Sequence, residues 1–282
     1  MKTKYADMHV HTNFSDSTFS PSEVVELAKR EGLDAISITD HDSVEGIPVA
    51  ILHASKLGIE VIPGIEITIE KDLHEIHILG YFIDWQAEWF RDKIKIMRDS
   101  RIERMQEMIR LLKNEGIEVD FDDVMKIAGK GSLGRLHLAK TMMKAEKIST
   151  IQEAFRKYIG FKKSCYVPHM VYSPKEAIGM ILQAGGVPVL AHPKLIGKDE
   201  MISGLIDCGL RGIEVYHSDH DKQTEKKYLK IAQKRKLLVT GGSDCHGLGK
   251  DRVLIGSVKI DYELVTKIKE EAIKIKDNNL LN

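Results

Sequence analysis

The chain has 282 residues, of which 43% are hydrophobic and 30% charged, and its 42 basic and 42 acidic side chains give a formal net charge of +0. This length allows one large domain or two ordinary ones, and the composition excludes disordered, collagen-like and disulfide-scaffold proteins. No apolar run approaches the roughly 18–20 residues that span a bilayer, and the first residues are charged where a signal peptide would be apolar. We therefore expect a cytoplasmic protein with no membrane segment, and its scattered cysteines, Cys165, Cys208 and Cys245, are expected to be free thiols.

The first 90 residues alternate short apolar runs with helical patterns, which is typical of βαβ units and a parallel sheet. One helix is predicted to begin at Ser20-Pro21 and to end at Gly32, and a second covers Pro48–Lys56. Strands are predicted at Ala6–Val10, Ala35–Thr39, Glu60–Pro63 and Glu75–Phe82.

From about residue 91 the pattern changes to one helix after another, and strand-like runs return only after residue 164. The later strands are predicted at Gly186–Ala191, Gly212–Tyr216 and Leu237–Thr240, and helices between them at Pro174–Gln183 and Thr224–Lys234. We therefore predict one α/β domain, formed by residues 1–90 and 165–282, with a helical insertion at 91–164.

Polar side chains follow the ends of most predicted strands. Asp7, His9 and His11 alternate along the first strand, so their side chains leave the same face. The later strands lead into Asp40-His41-Asp42, Glu66, His192, His217 and Asp244-Cys245-His246, and His77 lies within a strand. Because the carboxyl ends of successive parallel strands meet at one mouth of a (β/α) barrel, we expect these side chains to converge there.

This mixture of imidazoles and carboxylates without thiolates suits a borderline divalent metal such as Mn, Fe, Zn or Co. The candidate ligands are more than one ion can use, so we expect two or three ions joined by a bridging carboxylate. Such clusters activate a water molecule and bind phosphoryl oxygens, which favours a hydrolase.

Six motifs, in this order and along nearly the whole chain, resemble those of the PHP (polymerase and histidinol phosphatase) family. They are Asp7-x-His9-x-His11, Thr39-Asp40-His41-Asp42, Pro63-Gly64-Ile65-Glu66, His77-Ile78-Leu79-Gly80, Ala191-His192-Pro193 and Ser243-Asp244-x-His246. The resemblance implies a distorted seven-stranded (β/α) barrel with a helical insertion and a trinuclear metal centre, with Mn expected first and Fe or Zn as alternatives. The implied ligands are His9, His11, Glu66 and Asp244 for one ion, Glu66, His77 and His192 for the second, and Asp16, His41 and His246 for the third. Asp40 and His217 are the candidate catalytic residues.

The chain looks most like the stand-alone PHP phosphoesterases that act on nucleoside 3′,5′-bisphosphates and on the 5′ ends of short RNA. Gly134-Arg135-Leu136-His137 resembles a Gly-Arg-Pro-His segment of that branch, with leucine in place of proline, which implies that Arg135 binds a substrate phosphate. The surrounding segment, Gly129–Lys163, carries nine basic and two acidic side chains, a net charge of +7. We therefore expect hydrolysis of a phosphorylated nucleotide or short oligoribonucleotide by a metal-activated hydroxide.

Three further histidines are candidates for contact with the substrate. His137 is a candidate for substrate binding because it belongs to the same segment as Arg135. His217 and His220 follow another strand end, where they could contact phosphate, protonate the leaving oxygen, or serve only as structural or surface residues.

Two other functions remain open at this level. Histidinol phosphatase shares the family fold, but its small substrate needs no basic insertion. A non-catalytic nucleic-acid-binding protein is also conceivable, since residues 120–144 can be drawn as a helix-turn-helix with basic residues on its second helix. Nothing in the sequence indicates an obligate protein partner.

Overall fold

A computed structural model describes residues 3–71, 74–168, 171–249 and 253–281, and in it helices surround a barrel of strands. The strands are β1 (Tyr5–Val10), β2 (Ala35–Ile38), β3 (Glu60–Lys71), β4 (His74–Tyr81), β5 (Val187–Leu190), β6 (Gly212–His217), β7 (Leu238–Gly242) and β8 (Ile260–Asp261). The helices are α1 (Pro21–Arg30), α2 (Gly46–Leu57), α3 (Glu88–Asn114), α4 (Phe121–Ala128), α5 (Arg135–Lys144), α6 (Ile151–Ala154), α7 (Pro174–Gln183), α8 (Pro193–Ile196), α9 (Met201–Asp207), α10 (Lys222–Arg235) and α11 (Tyr262–Leu281).

Local capping signals fix the beginnings of α1 and α7 where the sequence predicts them. The Ser20 hydroxyl accepts a hydrogen bond from the backbone N–H of Glu23, and the Glu23 carboxylate accepts one from the backbone N–H of Ser20. Ser173 and Glu176 repeat this reciprocal pair at α7. Each pair satisfies two N–H groups that a helix terminus would otherwise leave without partners.

The barrel has the strand order β7-β6-β5-β4-β3-β2-β1-β8. Neighbouring strands from β1 to β7 pair in parallel, except that β4 is antiparallel to both β3 and β5. The barrel closes beyond the end of β7, where the backbone N–H of His11 donates to the carbonyl of Cys245 at 3.1 Å. Gly242 permits this closure because a Cβ atom there would lie 2.3 Å from the backbone nitrogen of His9.

The distorted (β/α) barrel is confirmed, with two corrections. The described residues contain an eighth strand, β8, which is two residues long and pairs antiparallel with β1 at the edge of the sheet. The purely parallel sheet is wrong for β4, because β3 does not end at Pro63 but continues to Lys71 and forms a hairpin with β4. The β-branched residues of 65–69 explain this continuation, since they favour an extended strand. Glu66 therefore lies within a strand rather than after one.

Helices α3 to α6 enclose an apolar cluster of their own, separate from the two clusters that surround and fill the barrel. Its fully buried members include Met108, Leu112, Val124, Leu138 and Met142. An insertion with its own core is compatible with the predicted limits of 91–164, which stay a prediction. All three cysteines are free thiols, and across the described part of the chain no helix is long and apolar enough to cross a membrane.

Candidate metal centre

The barrel mouth brings together all nine side chains that the sequence and the family resemblance single out as ligands. Each has a nitrogen or oxygen within 3.2 Å of such an atom of another member: His9, His11, Asp16, His41, Glu66, His77, His192, Asp244 and His246. They come from β1, β3, β4 and the segments that follow β1, β2, β5 and β7. Most are buried, and His41 and His77 retain side-chain exposures of only 14% and 15%.

Glu66 lies at the centre of this cluster, and its two carboxylate oxygens face different groups of imidazoles. Its Oε2 lies 3.3 Å from His9, 3.2 Å from His11 and 3.1 Å from His41, and its Oε1 lies 2.9 Å from His77 and 3.0 Å from His192. A carboxylate with one oxygen in each of two ligand groups has the arrangement of a bridging ligand.

A second focus of the cluster lies at Asp16, whose Oδ1 is 3.2 Å from Nε2 of His246. His11 and His41 belong to the same group, in which all candidate ligand atoms lie within 4.8 Å of one another. His11 also belongs, with His9, Glu66 and Asp244, to another such group.

These distances fit a metal centre. Ligand atoms about 2.0–2.2 Å from a first-row ion lie roughly 3–3.5 Å from each other. In addition, Asp16 Oδ1, His41 Nδ1 and Glu66 Oε2 are buried, and despite their short distances to other cluster atoms their directions form no hydrogen bond with the described residues. Buried polar atoms are normally satisfied, so this donor set is suited to a bound cation.

Three candidate ligand histidines contact, through one ring nitrogen, an acceptor that is not itself a candidate ligand atom. His9 uses Nδ1 to contact Glu214 at 3.0 Å, His77 uses Nε2 to contact Glu75 at 3.2 Å, and Nδ1 of His246 donates to the carbonyl of Asp244 at 2.9 Å. In each case the other ring nitrogen faces the cluster, where it can offer its lone pair to a metal once it carries no proton. An outer acceptor that fixes the tautomer of a ligand histidine is a regular feature of metal sites.

Glu214 and Glu75 are functional residues that the sequence prediction missed. Glu214 is a fully buried carboxylate within the apolar strand β6, and that interruption of an apolar run was the available signal. Glu75 precedes His77 by two residues on β4, so the two side chains share a face of the strand.

Replacing Glu214 by glutamine is expected to weaken metal affinity about tenfold, as is typical when a residue that hydrogen-bonds to a metal ligand is mutated. The Glu214 carboxylate also accepts a hydrogen bond from the backbone N–H of His192 at 2.8 Å. It therefore contacts two candidate ligands, His9 and His192. Competition with a chromogenic chelator measures the change, with Glu225→Gln on α10 as the control. Unaltered affinity in Glu214→Gln would contradict the orienting role of this carboxylate.

In the metal-free protein, neighbouring carboxylates raise the pKa values of His9, His11 and His77, whereas burial lowers those of His41 and His192. Burial alone would lower the pKa of His11, but Asp244 and Glu66 raise it to about 9. Burial acts in the same way on His77, and Glu66 and Glu75 raise its pKa to about 10. Burial would raise the pKa of Glu66, but the His41, His77 and His9 charges hold it well below its usual value.

Metal binding near pH 7 should therefore release protons, because both His11 and His77 are protonated there and must lose a proton to bind. Affinity should rise with pH until pH 9–10. Since these pKa values are raised on folding, the stability they give the metal-free protein is complete below about pH 6.5 and is lost as pH rises through 9–10. Calorimetry in buffers of different ionisation enthalpy measures the proton release, and binding without it would contradict these protonation states.

Asp40, a candidate catalytic residue, is fully buried, and its side-chain hydrogen bonds go to the loop after β1. Its carboxylate accepts the backbone N–H and the hydroxyl of Thr12 and the hydroxyl of Ser15, each at 2.6 Å. Both partners belong to the loop after β1, which carries Asp16. Asp40 is thus placed to hold that loop rather than to contact a substrate.

His217 and His220 lie behind Asp244. The Nδ1 atom of His217 accepts the backbone N–H of Asp219 at 3.0 Å, and its Nε2 lies 3.5 Å from Asp244 Oδ2. The Nδ1 atom of His220 donates to the carbonyl of Val215 at 2.8 Å, and burial lowers its pKa. The structure therefore brings His217 to the edge of the cluster and keeps His220 one layer further out.

Arg135, at the first turn of α5, lies beside the cluster and contacts Glu75 Oε1 through Nη2 at 2.8 Å. Two arginines from α3 lie nearby: Arg104, 3.6 Å from the other oxygen of Glu75, and Arg101, which pairs with Asp42 at 2.5 Å. Together these three arginines line a pocket of 120 Å³ that also contains Asp16, His41 and His77. We call this the arginine pocket.

The sequence prediction identified Arg135 but missed Arg101 and Arg104. Their spacing of three residues places them on one face of α3, and only the packing of that helix brings them to the mouth. His137 is nearly buried and neutral, since burial lowers its pKa to about 4, and its Nδ1 accepts the backbone N–H of Gly134 at 3.1 Å.

A barrel whose mouth gathers these imidazoles and carboxylates beside a pocket of arginines defines a metal-dependent phosphoesterase. The chain belongs to the PHP domain family, whose model matches residues 7–167. It is 31% identical to a 3′,5′-nucleoside bisphosphate phosphatase from Chromobacterium violaceum, over 86% of this chain and 88% of that protein. It is 30% identical to a 5′-3′ exoribonuclease from Haemophilus influenzae, over 91% of this chain and 97% of that protein.

A solved structure resembles the fold along most of its length. It is the crystal structure of a proposed metal-dependent phosphoesterase from Bifidobacterium adolescentis, with a TM-score of 0.86 and 32% identity. The match covers 94% of this chain and 96% of that one.

Proposed function

We propose that the protein hydrolyses phosphate esters of nucleotides, removing the 3′-phosphate of nucleoside 3′,5′-bisphosphates and trimming short RNA from its 5′ end. The arginine pocket carries this proposal. Its arginines can bind one phosphate of the substrate, and the candidate metal ligands directly beside them would act on a second phosphate. The relatives from Chromobacterium and Haemophilus, which match over nearly their full lengths, support the same substrate class. In this proposal the enzyme works in the cytoplasm without an obligate protein partner.

The proposed cofactor is a set of up to three divalent ions, with Mn expected first and Fe or Zn as alternatives. His9, His11, Glu66 and Asp244 would hold one, Glu66, His77 and His192 the second, and Asp16, His41 and His246 the third. Bound ions would supply a nucleophile at neutral pH and neutralise charge that develops on the phosphoryl oxygens.

The chain's own residues bind and orient the substrate. Arg135 and Arg104 bind the phosphate that is not attacked, and they exchange part of their pairing with Glu75 for the new anion. His217 has a hydrogen-bond donor at Nε2, because its Nδ1 accepts an amide N–H, and we assign it to the leaving oxygen. Asp40 enters the proposal as a positioning residue for the loop of Asp16.

The rival functions fit less well. A small amino-alcohol phosphate, as for a histidinol phosphatase, would leave the arginine pocket without a ligand. The predicted helix-turn-helix corresponds to α4 and α5. However, the first turn of α5 lies against the metal cluster, where Arg135 pairs with Glu75. That turn is therefore not free to enter a nucleic-acid groove.

Phosphate release from adenosine 3′,5′-bisphosphate by metal-depleted protein, with and without added Mn²⁺, tests the proposal. Histidinol phosphate is the parallel substrate, and a 5′-phosphorylated RNA pentamer is the second nucleic-acid substrate. Mn²⁺-dependent turnover of the bisphosphate but not of histidinol phosphate is expected. Turnover of histidinol phosphate alone would overturn the assignment of substrate class.

A further inference from the structure

A second cavity opens beside the metal cluster, and it shares Asp16 with the arginine pocket. It has a volume of 720 Å³, which is within the roughly 300–1,000 Å³ of ordinary ligand sites. The loop that follows β1 forms one wall, and residues of α4 and α5 form the other. We call it the loop groove. Asp16 is a candidate ligand and lines both cavities, so the two cavities meet at the cluster.

Lys140 supplies the loop groove with an unpaired positive charge. It is half-buried on α5, and it has no hydrogen-bond or ion-pair partner within residues 3–71, 74–168, 171–249 and 253–281. Burial lowers its pKa, and the nearest carboxylate that opposes this effect is Asp16. A partly desolvated ammonium group without a partner is costly, so it is suited to pairing with an incoming anion. Lys130 adds an exposed charge at the rim.

The remaining lining of the loop groove suits a nucleotide chain. Phe14 is half-exposed there, and Val49 and Ile127 add apolar surface. Ser17 and Asn13 contribute polar groups on the same loop. Proteins bind single-stranded nucleic acid by combining an aromatic stacking surface with cations along the backbone, and hydroxyl contacts are available on RNA.

The two cavities and the cluster form an ordered series along α5. Arg135 lies at the start of this helix in the arginine pocket, whereas His137 and Lys140 lie further along it in the loop groove. An RNA with its 5′-phosphate in the arginine pocket and its first phosphodiester at the metal ligands would direct its remaining nucleotides into the loop groove. A nucleoside bisphosphate has no such nucleotides and would leave the groove empty.

We propose that the loop groove binds the RNA chain on the 3′ side of the nucleotide being removed, and that Lys140 pairs with the first phosphodiester of that chain. This inference rests on the proposed function and assigns its longer substrates to a separate subsite. Lys140 is accordingly a specificity residue that distinguishes an oligonucleotide from a mononucleotide.

The test compares Lys140→Met with Lys144→Met, a variant of an exposed lysine on the same helix outside the groove. The substrates are adenosine 3′,5′-bisphosphate and a 5′-phosphorylated RNA pentamer. Lys140→Met should raise KM for the pentamer about tenfold, as for one charge-assisted hydrogen bond, and leave KM for the bisphosphate within about twofold. Lys144→Met should change neither value.

A binding measurement separates this inference from catalysis. Fluorescence anisotropy of a 3′-labelled pentamer with the metal-depleted protein should give weaker binding for Lys140→Met than for wild type. The slope of log affinity against log salt should also fall by about 0.7, the value for one phosphate contact on a single strand.

Three outcomes would overturn the proposal. In Lys140→Met, KM could rise equally for both substrates or for neither of them, or Lys144→Met could show the same rise in KM for the pentamer. A wild-type protein that cleaves the bisphosphate but neither binds nor cleaves the pentamer would also overturn it and leave the phosphatase activity in place. The pentamer could instead bind in a way that depends on Lys140 while no substrate is turned over. That result would overturn the proposed function and support the proposal that the loop groove binds RNA.

Discussion

Replacing Glu66 by alanine is expected to remove metal and activity together, with a fall in kcat/KM of at least about 10³-fold. Glu66 is fully buried, and its two oxygens contact imidazoles from two different ligand groups. Its removal therefore breaks both groups and leaves protonated imidazoles facing one another. Bound metals supply several kcal/mol of transition-state stabilisation, and each 1.36 kcal/mol corresponds to a factor of ten in rate.

Metal content by atomic absorption and phosphate release by the same preparation measure this effect. Glu60→Gln is the matched control, because Glu60 is the first residue of the same strand, β3, and is not a candidate ligand. Glu66→Gln keeps the shape of the side chain and tests the charge alone. Mn²⁺-dependent turnover retained in Glu66→Ala would refute the assignment of Glu66 as the central ligand.

Replacing Arg135 by alanine is expected to raise KM about 100-fold without loss of bound metal. Two charge-assisted hydrogen bonds to a phosphate together contribute roughly 3 kcal/mol, which corresponds to this factor. Metal should be retained because Glu75, which orients His77, keeps its second cationic neighbour, Arg104. Arg135→Lys should give an intermediate KM, since an ammonium group keeps the charge but not the two-pronged geometry.

Steady-state kinetics on adenosine 3′,5′-bisphosphate, with metal analysis of each variant, measure this effect. Arg156→Ala removes an exposed arginine from the same basic segment and should leave KM unchanged. A fall in metal content in Arg135→Ala would mean that Arg135 acts through Glu75 and His77 rather than on the substrate.

The sequence allowed the barrel and the nine candidate ligands to be predicted because most of that information is local. Six of the nine candidate ligands follow strand ends, namely His11, Asp16, His41, His192, Asp244 and His246, and the order of the motifs identifies the family. Asp16 is different, because its position in the loop five residues after His11 would by itself indicate only a surface carboxylate. The family resemblance alone indicated a role as a ligand. In the structure it lies 3.2 Å from His246, a residue 230 positions away along the chain, which no local pattern encodes.

The features that were not predicted depend on the direction in which side chains and strands point and on how helices pack against the barrel. Asp40 and His41 are neighbours in sequence, but successive residues of an extended segment point to opposite sides, so Asp40 binds a loop while His41 reaches the cluster. Arg101 needs the packing of α3 to meet Asp42. The antiparallel direction of β4 was missed because the alternating pattern of residues 1–90 was interpreted as βαβ units of a parallel sheet.

The antiparallel pairing of β4 and β5 has an evolutionary consequence. Tyr81 at the end of β4 pairs with Val187 at the start of β5, so residues 82–186 amount to one very long hairpin connection. Lengthening a loop is inexpensive, at about 0.6 kcal/mol per doubling, so such a connection can grow or be exchanged without altering the strands it joins. Every candidate ligand of the cluster lies outside this connection, whereas Arg104, Arg135 and Lys140 lie within it. Natural selection could thus change which phosphate esters the enzyme accepts by replacing one contiguous piece of the gene while the hydrolytic chemistry is inherited intact.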